Sequence, residues 1–300
     1  MSRTPEASAR LQGHLALLAV QVFFGLFPLF GKVAMRTFTP RAVAGWRVLV
    51  GGAVLMGLAA LIHRRAALPA RRDLLRLQVC ALLGIALNQV LYLEGLQRAP
   101  SVNAALIMVL IPVFVFALAV LVRQERLVKV RALGVFVAAV GASLLLLRRG
   151  PDLGPEYLTG NLLMMANAFS YSVYLIAAKP LAMRYPPLVL IAWVFALSTW
   201  TVPLFAHDAS FAPPAADLDA WLSLAYILVF PTMLAYLLNT LALARVSAST
   251  TAFYIFLQPF IAAVAGWLGL GEDLDFGFAM AASCVLAGLW CVVRRPARPA

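Results

Sequence analysis

Amides and phenols recur at helical spacing inside apolar stretches of this sequence. Asn167, Tyr171 and Tyr174 follow one another at i, i+4 and i+7, which puts all three on one helix face. Asn88 and Tyr92 share a face by the same spacing, and so do Tyr254 and Gln258. Gln21 stands mid-run, one turn before Gly25, and Asn103 adds a further amide. Such groups are costly in an apolar medium unless partnered, and they usually turn toward the interior of a bundle. They offer hydrogen bonding and ring stacking. Hydrogen bonding between helices is their other use, worth about 0.6 kcal/mol per pair on average. In this reading no charge sits at mid-depth, so the set suits a neutral or zwitterionic amphipathic solute.

Ionisable side chains form a second group, nearer the ends of the apolar runs. Lys32, Arg47 and Glu94 fall toward one end, and Lys179 mirrors Lys32 at the other. Glu94 paired with Lys32 or Arg47 would make a gate or a proton-linked switch. Snorkelling is the alternative for Lys32 and Arg47. Glu125 and Glu272 end two runs and are expected to cap helices or serve loops. His14, His63 and His207 are scattered, and Cys80, Cys284 and Cys291 lie within apolar runs. That pattern implies no catalytic residues, no metal site and no disulfide framework. The glycines of "GWLGLG" follow no strand, so no nucleotide cofactor is implied. No catalytic grouping is visible at depth, so an intramembrane enzyme is not expected.

These residues need elements to hold them. Of 300 residues, 63% are hydrophobic and 12% charged, with mean hydropathy +0.92. Soluble domains carry roughly 45–50% apolar residues and about 25% charge. The expectation is an all-α integral membrane protein. A spanning helix takes about 20 residues, and the apolar runs place spans near 14–35, 42–62, 74–96, 101–122, 130–147, 158–182, 188–206, 221–243, 249–270 and 276–293. Pro100 in "QRAPS" divides the third from the fourth. The first run is long, holds Gln21 and Pro28, and leads straight into further spans, unlike a cleaved signal peptide. Gly134, Ala138 and Ala142 recur every four residues, as close helix packing requires.

A net charge of +12 fits the membrane better than nucleic acid. With the N-terminus inside, most Lys and Arg fall in cytoplasmic loops, as the positive-inside rule asks. The other side collects most of the acids, among them Asp152, Asp208, Glu272, Asp273 and Asp275. Both termini are therefore predicted to be cytoplasmic, with the chain multi-pass in a cell inner (plasma) membrane.

Pro112 in "LIPVFVFALAV" and Pro259 in "LQPFIAAVAGW" interrupt two such runs, although a proline inside a helix costs about 3 kcal/mol or more. They are 147 residues apart. The same shift superposes Lys32 on Lys179, Trp46 on Trp193, Arg98 on Arg245, Glu125 on Glu272 and Gly141 on Gly288. The chain thus reads as two repeats, residues 1–150 and 151–300. Five helices in each put the second repeat into the membrane upside down. Inverted repeats and paired helix interruptions point to a transporter with a mid-depth site. Pro112 and Pro259 therefore join the cavity candidates.

"YLEGLQRAPSVNAALIMVLIPVF", followed by "RQERL", resembles the first copy of an EamA domain, and "SASTTAFYIFLQPFIAAVAGWLGLGEDL" the second. "AVAGWRVLVGGAVL", with Arg47, is similar to that family's second helix. The second half departs where Val194 stands in place of the arginine. The resemblance implies a five-plus-five-helix permease of the drug/metabolite transporter superfamily. It also implies a cavity among helices 1, 3, 4, 6, 8 and 9, and export of amino acids, other metabolites or drugs. The leading expectation is alternating-access export of small organic solutes, amino acids or related neutral, zwitterionic or aromatic metabolites. Drug export by proton antiport is the alternative, followed by a channel. The expected partners are the solute, the bilayer and, for antiport, protons. Nucleic acid is not among them, and a monomer is favoured.

Overall fold

The computed structural model describes residues 5–64, 68–148, 150–214, 217–261, 263–264 and 276–294. Among these residues the regular structure is all helical. Eight rods are long and apolar enough to cross a bilayer: α1 (Pro5–Ala34), α2 (Pro40–His63), α3 (Arg71–Arg98), α4 (Ser101–Leu121), α5 (Lys129–Arg148), α6 (Pro155–Ala182), α7 (Pro187–Phe205) and α8 (Leu218–Arg245). The chain then forms α9, which starts as Ala248–Phe253 and enters the 3-10 turn Tyr254–Leu257, and α10 (Phe276–Arg294). The later part of the 249–270 span, all of "GWLGLG", and Glu272, Asp273 and Asp275 lie outside the described residues.

The rods start where the sequence supplies caps. Pro40, Pro155 and Pro187 occupy first-turn positions, where a missing N–H costs nothing. Thr39, Asp217 and Ser247 accept from the N–H groups of Ala42, Ala220 and Thr250. Ala99, forced extended before Pro100 (φ −142°, ψ 160°), ends α3.

Five rods are interrupted among the described residues: α7 at Leu197–Thr201, and four others beside the central cavity. Pro112 brings no N–H to the carbonyl of Met108, and α4 interrupts at Val109. Pro259 stands in the same relation to Ile255, within the 3-10 turn of α9. Wide π turns interrupt α3 at Leu82–Ala86 and α8 at Leu228–Leu234. A shift of 147 residues carries Met108 onto Ile255, Pro112 onto Pro259, and Gly84 of one π turn onto Pro231 of the other.

Small residues close the remaining seams. α5 and α10 pack so tightly that a Cβ on Gly288 would press into the Gly134 carbonyl, and Gly141 meets Cys284. The spacing seen in the sequence at Gly134, Ala138 and Ala142 thus serves packing. Cys80, Cys284 and Cys291 are free thiols.

Candidate functional site

Next to their breaks, α3, α4, α8 and α9 line a central cavity of about 70 Å³. Gln21, Asn88, Tyr92, Asn167, Tyr171 and Gln258 all line it. Its wall repeats in the register found in the sequence: Val20 with Asn167, Phe24 with Tyr171, Tyr92 with Asn239, Met108 with Ile255, and Ile111 with Gln258. Each pair is 147 residues apart, so the two halves contribute equivalent positions.

Polar groups in this wall are tied to each other and to the helix breaks. Gln258 Nε2 donates to Gln21 Oε1 at 2.9 Å, joining α9 to α1. Asn167 Nδ2 donates to the Asn88 carbonyl at 2.6 Å, and Asn239 Nδ2 to Tyr171 Oη at 3.0 Å. The Tyr236 hydroxyl sits 3.1 Å from the Gly84 carbonyl, inside the π turn of α3, and 3.3 Å from Asn88 Oδ1. Phe27 stacks on Tyr92 with ring centroids 5.3 Å apart. Tyr236, Asn239, Phe24 and Phe27 were missed by polarity and spacing alone, yet the repeat register would have found two of them. Asn239 is the mate of Tyr92, and Phe24 of Tyr171.

Arg47 corrects the expectation of an uncharged cavity. It was expected near a membrane end as a partner of Glu94; it lines the central cavity instead, only 2% exposed. Its Nε donates to Thr232 Oγ1 at 2.8 Å and its Nη2 to the Pro231 carbonyl at 3.3 Å, while its guanidinium carbon lies 4.6 Å from the Phe27 ring centroid. Arg47 stands nearly two turns further into α2 than Arg41, which is why α2 also walls the cavity. The two π-turn carbonyls, Gly84 and Pro231, are thus both held by donors from the cavity wall.

Glu94 finds other partners. It accepts from Arg41 Nε at 3.0 Å and from Arg98 Nη1 on its own helix, and Arg41 reaches on to Asp208 at 3.2 Å. Neither Lys32 nor Arg47 touches it. Lys32 donates to the carbonyls of Leu96 and Ala99 where α3 ends. Lys179 donates to those of Leu243 and Val246 where α8 ends, at 2.6 and 2.8 Å. These lysines tie helix ends within each half.

Five further residues miss the cavity wall. Asn103, in the first turn of α4, is too near the bundle end; its Nδ2 donates to the Asp152 carbonyl at 2.6 Å and to Asn161 Oδ1 at 3.0 Å. Tyr254 was placed beside Gln258 by α-helical spacing. The intervening 3-10 turn has three residues per turn and rotates it away, onto His14 of α1, with Oη 2.8 Å from Nδ1. Tyr174 is buried against Gly84, where the absence of a Cβ leaves room for its ring. Pro112 and Pro259 are buried one residue beyond lining positions Ile111 and Gln258. Their effect on the cavity comes through the breaks they impose.

Glu125 caps helices, as expected. Its carboxylate accepts from Arg131 Nη1 at 2.9 Å and from the Ser249 N–H at 3.1 Å, binding the end of α4 and the start of α5 to the first turn of α9.

Comparison with known proteins agrees with this architecture. The EamA-like transporter family model matches residues 11–147 and again residues 158–294. An uncharacterized transporter of Archaeoglobus fulgidus is 28% identical over 280 residues, 92% of this chain and 96% of its own. A probable terminal-alkyne amino-acid exporter of Streptantibioticus cattleyicolor is 28% identical over 231 residues, 76% of this chain and 75% of its own. A solved crystal structure shares the fold with a TM-score of 0.75 at 21% identity, covering 95% of this chain and 96% of that one. The chain belongs to the EamA-like transporter family.

Proposed function

We propose that this membrane protein is a secondary transporter with ten spans, built as two inverted five-helix repeats at residues 1–150 and 151–300. It exports small organic solutes, amino acids or related neutral, zwitterionic or aromatic metabolites, by alternating access from a cell inner membrane, with both termini in the cytoplasm. One observation carries the reading. A central cavity is walled by equivalent positions of the two halves and bordered by a helix break from each of four rods. Broken helices at depth are tolerated only where protein or a water-filled cavity satisfies the freed backbone, and two halves rocking about such a site is how inverted repeats alternate access. The amino-acid exporter among the relatives supports that substrate class.

Proton coupling through Glu94 has little support, because that carboxylate is occupied by Arg41 and Arg98 and does not line the cavity. The test is efflux and counterflow of labelled amino acids from proteoliposomes, with and without a pH gradient. Saturable flux with counterflow fits the carrier. Flux that does not saturate and shows no counterflow contradicts it.

A further inference from the structure

We propose that the cavity recognises its solute by a carboxylate, with Arg47 as the receiving group. This rests on reading the cavity as the transport site and goes beyond it by naming the functional group that binds. Arg47 is buried, and among the described residues no carboxylate lies within ion-pair distance of it. Buried charges in proteins are normally paired, because an isolated one is costly to desolvate. The other deep arginine obeys that rule: Arg131 is held by Glu125 and three hydroxyls. Arg47 has only one hydroxyl and one carbonyl, both neutral, and its Nη1 donates to no protein group among the described residues.

Its place in the wall puts the guanidinium within reach of a ligand. Thr232, the Pro231 carbonyl and the Phe27 face fix the guanidinium plane, so a carboxylate meets a preset donor edge. Among the described residues the lining contains no Asp or Glu, so nothing there pairs with an ammonium as Arg47 pairs with an acid. The charge balance favours a solute with one net negative charge, or a zwitterion held mainly by its acid end. Beyond Arg47, the rings of Phe24, Phe27 and Tyr92 offer an apolar body site. Position 194, the mate of Arg47, is Val194, so the second half does not repeat this donor.

The test is binding calorimetry on the full chain in lipid nanodiscs. The probes are 3-phenylpropionate, phenylacetate and L-phenylalanine, against 3-phenylpropionamide and 2-phenylethylamine. Acids are expected to bind the wild type roughly tenfold or more tighter than the amide and the amine, as loss of a charge-assisted pair implies. Arg47→Gln should remove that preference and Arg47→Lys restore part of it, whereas a merely structural arginine would leave the acid-to-amide ratio unchanged. The wild-type comparison decides the matter even if a variant fails to fold. Equal binding of acid and amide, a preference for the amine, or no binding by any of the three acids overturns the proposal. Bound acids that are never translocated would sink the transporter reading instead and leave carboxylate recognition standing.

Discussion

Lys32 and Lys179 make the same contacts in the two halves of the chain. Each ammonium reaches two backbone carbonyls of a helix end, Leu96 and Ala99 for one, Leu243 and Val246 for the other, and every residue lies 147 positions from its mate. Cations at helix C-termini satisfy orphan carbonyls and meet the negative end of the dipole. Lys32→Met and Lys179→Met are therefore expected to destabilise the protein alike, each by about 1.5–3 kcal/mol. Thermal unfolding in detergent measures this, and a large loss from only one variant would break the equivalence.

The prolines are the next lever. Alanine at position 112 or 259 supplies the N–H that Met108 or Ile255 lacks and permits a straighter helix. Pro112→Ala and Pro259→Ala should keep or raise the melting temperature while lowering flux by roughly tenfold or more, because remote 1 Å misplacements can cost about a hundredfold. Parallel thermal unfolding and proteoliposome flux check both halves of this statement. Unchanged flux in both variants would reduce the prolines to packing kinks.

The Glu125–Arg131 pair is almost wholly buried. Removing one partner strands a charge, so Glu125→Leu or Arg131→Leu should cost about 3–5 kcal/mol, whereas the double variant should recover much of that loss. A double-mutant cycle by thermal unfolding measures the coupling. Additive losses would mean that the pair contributes no coupling of its own.

At the opposite end, the Glu94 cluster is partly exposed. Glu94→Gln is expected to cost only about 1 kcal/mol, with the deficit shrinking as salt screens the wild-type pairs. Unfolding at low and high salt checks it. If the variant also abolished the response of flux to a pH gradient, a coupling role for Glu94 would return.

Much of the fold was legible because its signals are strong in one dimension. Span lengths and the rare residues Lys, Trp and Pro in one register revealed the rods and the repeat. The paired prolines revealed two of the four breaks beside the cavity. The π turns left no such trace in α3, where Leu82–Ala86 reads as ordinary apolar helix. The site was partly legible. Amides at helical spacing marked Asn88, Asn167 and Gln21, but Tyr254 was lost because a 3-10 turn changes the angle per residue. Arg47 was misplaced for another reason. Burial of a charge depends on partners far along the chain, here Thr232 at a separation of 185 residues.

The most direct measurement of alternating access locks each end in turn. In a background free of the native cysteines, His14→Cys with Tyr254→Cys spans one end, and Arg41→Cys with Asp208→Cys the other. A short reducible thiol cross-linker is applied to each pair in proteoliposomes carrying labelled amino acid. The account predicts that either lock stops counterflow, that reduction restores it, and that a locked protein exposes its cavity to one side alone. Continued flux through a protein cross-linked at one end would contradict it.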